Sequence, residues 1–149
     1  MTSTLPRSGM PEHFGIRITS ADKDKLVGEL DTDERHLNRG GHVHGGALLA
    51  FADDLGGTLA GLNISPEFRT TTIESKSNIL RACTPGRLTG VVTPLHVGRR
   101  TIVVQTSIYR ADGKLAVMTT QTQLVLPREP AHQFETRPGN SEAAPLANT

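Results

Sequence analysis

Gly45-Gly46 stands directly before an apolar run that carries Asp53 and Asp54 in its middle, and His42 and His44 stand directly before the glycines. The first N–H groups of a helix have no intrahelical partner and sit at the positive end of its dipole, so a helix starting here offers donors to an anion or a developing oxyanion. Gly45 and Gly46 carry no side chain to block that approach. A carboxylate within an otherwise apolar helix is expected to be buried, to need partners and to be suited to acid–base work. Gly46, Ala50, Gly57 and Ala60 share a stripe with Asp53. Those small residues leave room for a ligand or a second subunit to reach its carboxylate.

The elements that must position these groups follow from periodicity. From Ala47 to Ala60 the apolar residues do not alternate, and Leu48, Phe51, Leu55 and Leu59 recur at helical spacing. Almost every other position is apolar or small, which predicts a helix enclosed on most sides. Upstream, Phe14, Ile16 and Ile18 alternate with polar neighbours and Leu26, Gly28 and Leu30 share a face, which predicts a hairpin across residues 20–24. Downstream, Thr70 to Ala82 reads as a long strand. Leu88 to Val97 reads as another, with Pro94 marking an edge or a bulge. Thr101 to Tyr109 places Ile102, Val104 and Ile108 on one face, and Asp112-Gly113 signals a hairpin into Lys114 to Leu126. In that last strand Ala116, Met118, Leu124 and Leu126 are expected on one side. The order predicts an α+β fold in which one long central helix is wrapped by a single antiparallel β-sheet. The domain is expected over residues 14–126, with a loose arm over 1–13 and a disordered, proline-bearing tail over 127–149.

Composition narrows the function classes. The chain has 149 residues, which suits one domain with a core of its own. A net charge of +1 and an aromatic content of 3% with no Trp exclude a general nucleic-acid binder. The single cysteine, Cys83, allows no internal disulfide and fits a reducing compartment. The first residues lack the apolar centre of a signal peptide and no apolar run reaches membrane-spanning length, so a cytoplasmic protein is expected.

Asn38, His44-Gly45-Gly46, Asp53 nine residues after the histidine, a long strand, a Pro-Gly turn and a Gly-Arg turn resemble the hotdog-fold acyl-CoA thioesterases of the phenylacetate-degradation (PaaI-like) type. The likeness spans about residues 14–126. It implies that Asp53 acts as general base on water or as nucleophile, and that the Gly45 N–H polarises the thioester carbonyl. It further implies that Asn38 is a loop amide holding water or the acid, and that His44 lies beside the oxyanion site. In such enzymes the site lies between subunits, so the resemblance implies a homodimer or homotetramer in which Asp53 faces Asn38, His44 and Gly45 of another copy. Gly46 joins the substrate-binding candidates, and Arg81, Arg99 and Arg100 are candidate partners for the phosphates of coenzyme A. No cofactor is expected beyond the CoA carried by the substrate. The chain departs from the family one turn beyond the acid, where a Ser or Thr is common and this sequence has Gly57, with Thr58 next. Asp54 points about 100° away from Asp53 and is read as a partner for an N–H or a lysine, or simply as a structural acid.

Other readings are weighed against this one. His42-x-His44 with His36 upstream has a spacing used by metal sites, but no glutamate follows and the next run is helical, so no metal is expected. A hotdog domain can also bind acyl-CoA without catalysis or act as a hydratase or dehydratase. A sensor would usually carry a DNA-binding module, and a hydratase pairs its Asp and His along a different motif. His13, His96 and His132 read as surface or strand positions. Cys83 reads as a structural thiol, and Met10, Met118 and Phe51 as packing residues. The acyl group is left open at this level.

Overall fold

The computed structural model describes residues 9–128, so residues 1–8 of the expected arm and 129–149 of the expected tail lie outside the described residues. The rest of the arm is not loose. Pro11 in the first turn and left-handed Gly15 at the end (φ 75°) frame a short helix α1, Met10–Phe14. Phe14 therefore ends a helix rather than starting a strand. It packs half-buried on the core and meets the buried ring of His36 edge-on, with centroids 5.7 Å apart.

The remaining elements are β1 (Ile16–Ala21), β2 (Leu26–Thr32), a 3-10 turn (Glu34–His36), α2 (Gly45–Leu62), β3 (Phe68–Ile79), β4 (Gly86–Val97), β5 (Thr101–Arg110) and β6 (Leu115–Pro127). All six strands form one antiparallel sheet in the order β1-β2-β4-β5-β6-β3. The expected hairpin joins β1 to β2, its turn held by Asp22 Oδ1, which accepts from the Asp24 and Lys25 N–H groups at 2.8 Å.

Helix α2 lies on one face of this sheet. Leu48, Phe51, Ala52, Leu55 and Leu59 are buried beneath it, as their spacing predicts. Gly28 and Gly90 face each other across β2 and β4, and a Cβ at either would strike Leu55. These two glycines make the seat on which Leu55 and Phe51 rest. Fully burying a side chain such as Phe51 contributes roughly 1.5–3 kcal/mol.

The helix is not enclosed all round, because a single sheet covers a single side. Gly46, Leu49 and Asp53 look outward, while Ala60, expected on their stripe, turns into the core. Leu49 is 44% exposed.

Two strands need comment. Pro94 lies past Val92, the last residue of β4 paired to β2, and the register to β5 shifts between Pro94 and His96. Its missing N–H therefore falls on a locally unpaired edge beside a bulge. In β6 Met118, Leu124 and Leu126 share a side as expected, but Ala116 does not join them, and that side faces away from the core. The register to β5 passes from Ile108↔Val117 to Tyr109↔Leu115, so Ala116 is an extra residue. Ala116 and Val117 are both buried, and beyond this bulge the core face carries Val117, Thr119, Gln121 and Gln123. Met118 and Leu124 lie on the other, half-buried face. β3 is an edge strand without a buried residue, and its Ile73 and Ile79 are about half exposed.

Candidate active site

The segment before α2 is a built loop. Asn38 organises it: its N–H donates to His42 O (2.8 Å), its O accepts from Gly41 N–H (3.1 Å), and its Oδ1 accepts from the Gly40 and His42 N–H groups (2.8 and 3.2 Å). With Oδ1 turned into the loop, the side-chain NH2 is the end left for a ligand. Val43 N–H donates to Cys83 O and His44 N–H to His36 O, which ties the loop to its neighbours.

His44 is the N-cap of α2. Its Nδ1 accepts from Gly46 N–H at 2.8 Å, and its carbonyl accepts from the Ala47 and Leu48 N–H groups. The Gly46 N–H, expected to serve substrate, is thus occupied by the cap. The Gly45 N–H is the one for which the described residues supply no acceptor. Accepting at Nδ1 also sets the tautomer of the neutral ring, which leaves Nε2–H as its donor. His36, by contrast, spends both ring nitrogens inside the fold, Nδ1 on Asp33 N–H and Nε2 on Phe14 O, each at 3.0 Å. It is buried and is not available as a partner for His42 and His44. Among the described residues no three His, Cys, Asp or Glu side chains gather as a metal site.

A cavity of about 360 Å³ brings Asn38, Gly45 and Arg81 together with Leu48, Ile79 and Cys83. Arg81 is anchored there by Nη1 donating to Leu115 O at 2.6 Å. Burial pushes the Cys83 thiol up, which keeps it protonated and inert, in keeping with a structural role. His44 opens onto an adjoining groove shared with Asn38 and His42.

Asp53 lies elsewhere. It is exposed rather than buried, and Oδ1 accepts from Thr72 Oγ1 on β3 (3.1 Å) and from Gln121 Nε2 on β6. Gln121 Nε2 and Gln123 Nε2 both donate to Thr72 Oγ1, at 3.1 and 2.7 Å. No donor among the described residues reaches Oδ2 of Asp53. The hydroxyl that sequence leaves missing at Gly57 is thus supplied from a strand, by Thr72, while Thr58 donates to the Asp54 carbonyl at 2.7 Å. Asp53 and Gly45 are eight residues apart on one helix, about 12 Å along its axis. A single chain does not bring the carboxylate to the free donor.

The three arginines do not form one cluster. Arg81 pairs with Ala116 at one end of β6, whereas Arg100 O accepts from Val125 N–H at the other, nine residues or about 30 Å away. Arg99 lines a separate groove with Ile64, Phe68, Val97 and Val125. Thr72, Gln121 and Gln123 were missed by sequence reasoning. Their signal was the alternation of Thr119, Gln121 and Gln123 in phase with buried Val117, which becomes readable only once the bulge at Ala116 is placed.

One long helix laid on a six-stranded antiparallel sheet is the hotdog fold. The chain belongs to the thioesterase superfamily, whose sequence model matches residues 40–117. It is 31% identical over 124 residues to 1,4-dihydroxy-2-naphthoyl-CoA hydrolase of Escherichia coli, covering 83% of this chain and 91% of the relative. It is 32% identical over 105 residues to the proofreading thioesterase EntH of Cronobacter sakazakii, covering 70% and 77%. Among solved structures, a thioesterase of Haemophilus influenzae superposes with a TM-score of 0.77 at 26% identity, covering 82% of this chain and 85% of that one. A phenylacetic acid degradation-related protein of Ralstonia eutropha gives 0.76 at 25% identity, covering 80% and 92%, in keeping with the PaaI-like resemblance.

Proposed function

We propose that the protein is an acyl-CoA thioesterase whose active sites form between two copies of the chain, with Asp53 of one copy facing Gly45, His44 and Asn38 of the other. One observation carries this reading. Asp53 is exposed on the uncovered face of α2, with one oxygen held by Thr72 and Gln121 and the other without a donor among the described residues, and lies about 12 Å along the helix from Gly45, whose N–H finds no acceptor among the described residues. Exposed Leu49 and the bare edge strand β3, with Ile73 and Ile79, lie on surface that a second copy would cover. A dimer, or a tetramer built from dimers, follows from this arrangement.

In the proposed reaction Asp53 accepts a proton from water as the oxygen attacks the thioester carbon. The carbonyl oxygen gains charge against the Gly45 N–H, with His44 Nε2–H and the Asn38 NH2 as further donors. The tetrahedral intermediate then collapses with cleavage of the C–S bond. The proton held by Asp53 returns to the departing sulfur, releasing free acid and CoA. Arg81, which lines the Gly45 cavity, is the proposed partner for a CoA phosphate, and Arg99 and Arg100 serve only if another copy brings them near. The reading calls for no cofactor, since CoA enters as part of the substrate. The lone cysteine supports a reducing, cytoplasmic setting. No helix among the described residues is long and apolar enough to cross a membrane.

The test follows release of free thiol from short, medium, long and aryl acyl-CoAs, with the aryl thioester first because a relative is named for one. Asp53→Asn should lower turnover about 10²- to 10⁴-fold while the protein still folds and assembles. Gly45→Pro should lower it about 10²- to 10³-fold: proline suits the first helical position, extended His44 (ψ 137°) accepts a following proline, and the N–H is lost while the new Cβ, 3.3 Å from Ile79 Cδ1, asks only that this flexible side-chain end give way. Co-expressing the two inactive variants should restore activity to about a quarter of wild type, because half the dimers then hold one intact composite site. Failure to recover any activity would sink the shared site. Tight acyl-CoA binding without turnover in the wild type would replace the enzyme with a binding protein.

A further inference from the structure

We infer that Gln121 is a positioning residue for Asp53, held in place by Gly56, and that it fixes which carboxylate oxygen is presented to water. The inference rests on the reading of Asp53 as general base.

Gln121 is fully buried on the core face of β6, between Val104 of β5 and Ser75 of β3. A strand that exists only to cover a helix would carry an aliphatic side chain there. Instead its Nε2 donates to Asp53 Oδ1 and to Thr72 Oγ1. A carboxylate only accepts, so the amide must turn its NH2 to Asp53 and its carbonyl the other way. That carbonyl, Oε1, is buried and finds no donor among the described residues. It lies against the backbone of α2 at Gly56, where any Cβ would collide with it and would stand 3.1 Å from Val104 Cγ2.

An orphaned buried acceptor opposes folding. The arrangement is therefore one in which stability is given up at Gln121, and what is gained is at Asp53. On an open helix face an aspartate samples several rotamers. With two donors on Oδ1 the side chain is held, and Oδ2, which has no donor among the described residues, is the oxygen left for the attacking water. Such fixing acts on the chemical step rather than on substrate binding. Gly56 completes the arrangement, since a side chain there would push the amide off the carboxylate.

The experiment measures kcat, KM and Tm for wild type, Gln121→Met, Gly56→Ala and Asp53→Asn with hexanoyl-CoA and benzoyl-CoA. Gln121→Met should lower kcat about 10- to 100-fold, leave KM within about threefold, and leave Tm unchanged or higher, since the orphaned carbonyl is removed while Asp53 and Thr72 remain open to water. Gly56→Ala should reproduce the loss in kcat. Wild-type kcat in Gln121→Met overturns the inference. A fall in Tm, failure to fold or an equal rise in KM for Gln121→Met also overturns it, by showing a structural role. If Gly56→Ala fails to fold, Gln121→Met alone decides. Asp53→Asn separates the two levels: loss there with an unaffected Gln121→Met removes only the positioning role, whereas full turnover in Asp53→Asn removes the general base and this inference with it.

Discussion

Under α2, toward β2 and β4, the buried layer is Leu26, Leu30, Leu88 and Val92, with Leu55 seated on Gly28 and Gly90; toward β6 it is Thr119, Gln121 and Gln123. Both halves are equally removed from solvent. The first gains from burial alone and needs no direction. The second carries polar groups that need partners, and directed bonds supply most of them, including Ser77 to Thr119 at 2.7 Å and the network that ends on Asp53, while Gln121 Oε1 is left without a donor among the described residues. One flank of the helix thus holds the fold together, while the other holds a carboxylate oxygen between two donors.

Breaking the apolar half should cost the most. Phe51→Ala removes the largest fully buried side chain and should lower stability by about 3–5 kcal/mol, read as a shift in the urea midpoint. Turnover per folded molecule should change little, because Phe51 is buried toward Gly90 of the sheet whereas Asp53 is exposed on the helix. A selective loss of kcat with unchanged stability would erase the distinction between the halves.

His44→Ala tests the end of the helix that neither half supports. Losing the cap on Gly46 N–H should cost about 0.5–2 kcal/mol, and loss of the Nε2–H donor should lower kcat as well. An effect on stability alone would remove His44 from the proposed site.

Thr106→Val sharpens the contrast from the other direction. Thr106 is fully buried on β5, and its Oγ1 has no partner among the described residues. Removing that hydroxyl should raise stability by about 1 kcal/mol and leave kcat unchanged. A drop in activity would extend the functional network beyond the residues that touch Asp53.

The smallest effect belongs to the solvent side of β1, β2 and β4. There the Arg87 hydrogen bond, aided by Arg17, holds Asp31 at about 2, below its ordinary 3.8. A depressed carboxylate adds stability that is complete above about pH 4 and is lost as pH falls through about 2. Asp31 is about half exposed, so solvent and salt screen the pair, and Arg87→Ala should cost no more than about 1 kcal/mol. Urea midpoints taken near neutral pH and near pH 2 should therefore converge between wild type and variant in acid.

Much of the fold was legible in the sequence because its signals are local. The helical spacing of Leu48, Phe51, Leu55 and Leu59 placed α2, and the alternation of Ile102, Val104 and Ile108 placed the core face of β5 correctly. In β6 the same alternation grouped Met118, Leu124 and Leu126 on one side but wrongly included Ala116. One bulged residue, Ala116, reverses every side chain beyond it, and a bulge leaves no mark in a strand whose polar and apolar residues both alternate. The expected burial of Asp53 failed for a related reason, since composition shows that a helix is apolar but not how many layers cover it.

What the sequence by itself determined is the spacing of the chemistry: His44, Gly45 and Gly46 at a helix start and Asp53 two turns further on, because helix geometry fixes those relations without reference to the rest of the chain. What only the tertiary structure decided is who serves whom. The donors to Asp53 come from Thr72 and Gln121, 19 and 68 residues away, brought together by strand pairing. The His44 ring uses up the Gly46 N–H and leaves the Gly45 N–H free. Arg81 and Arg100 fall at opposite ends of β6, a separation set by strand register, which no local pattern records.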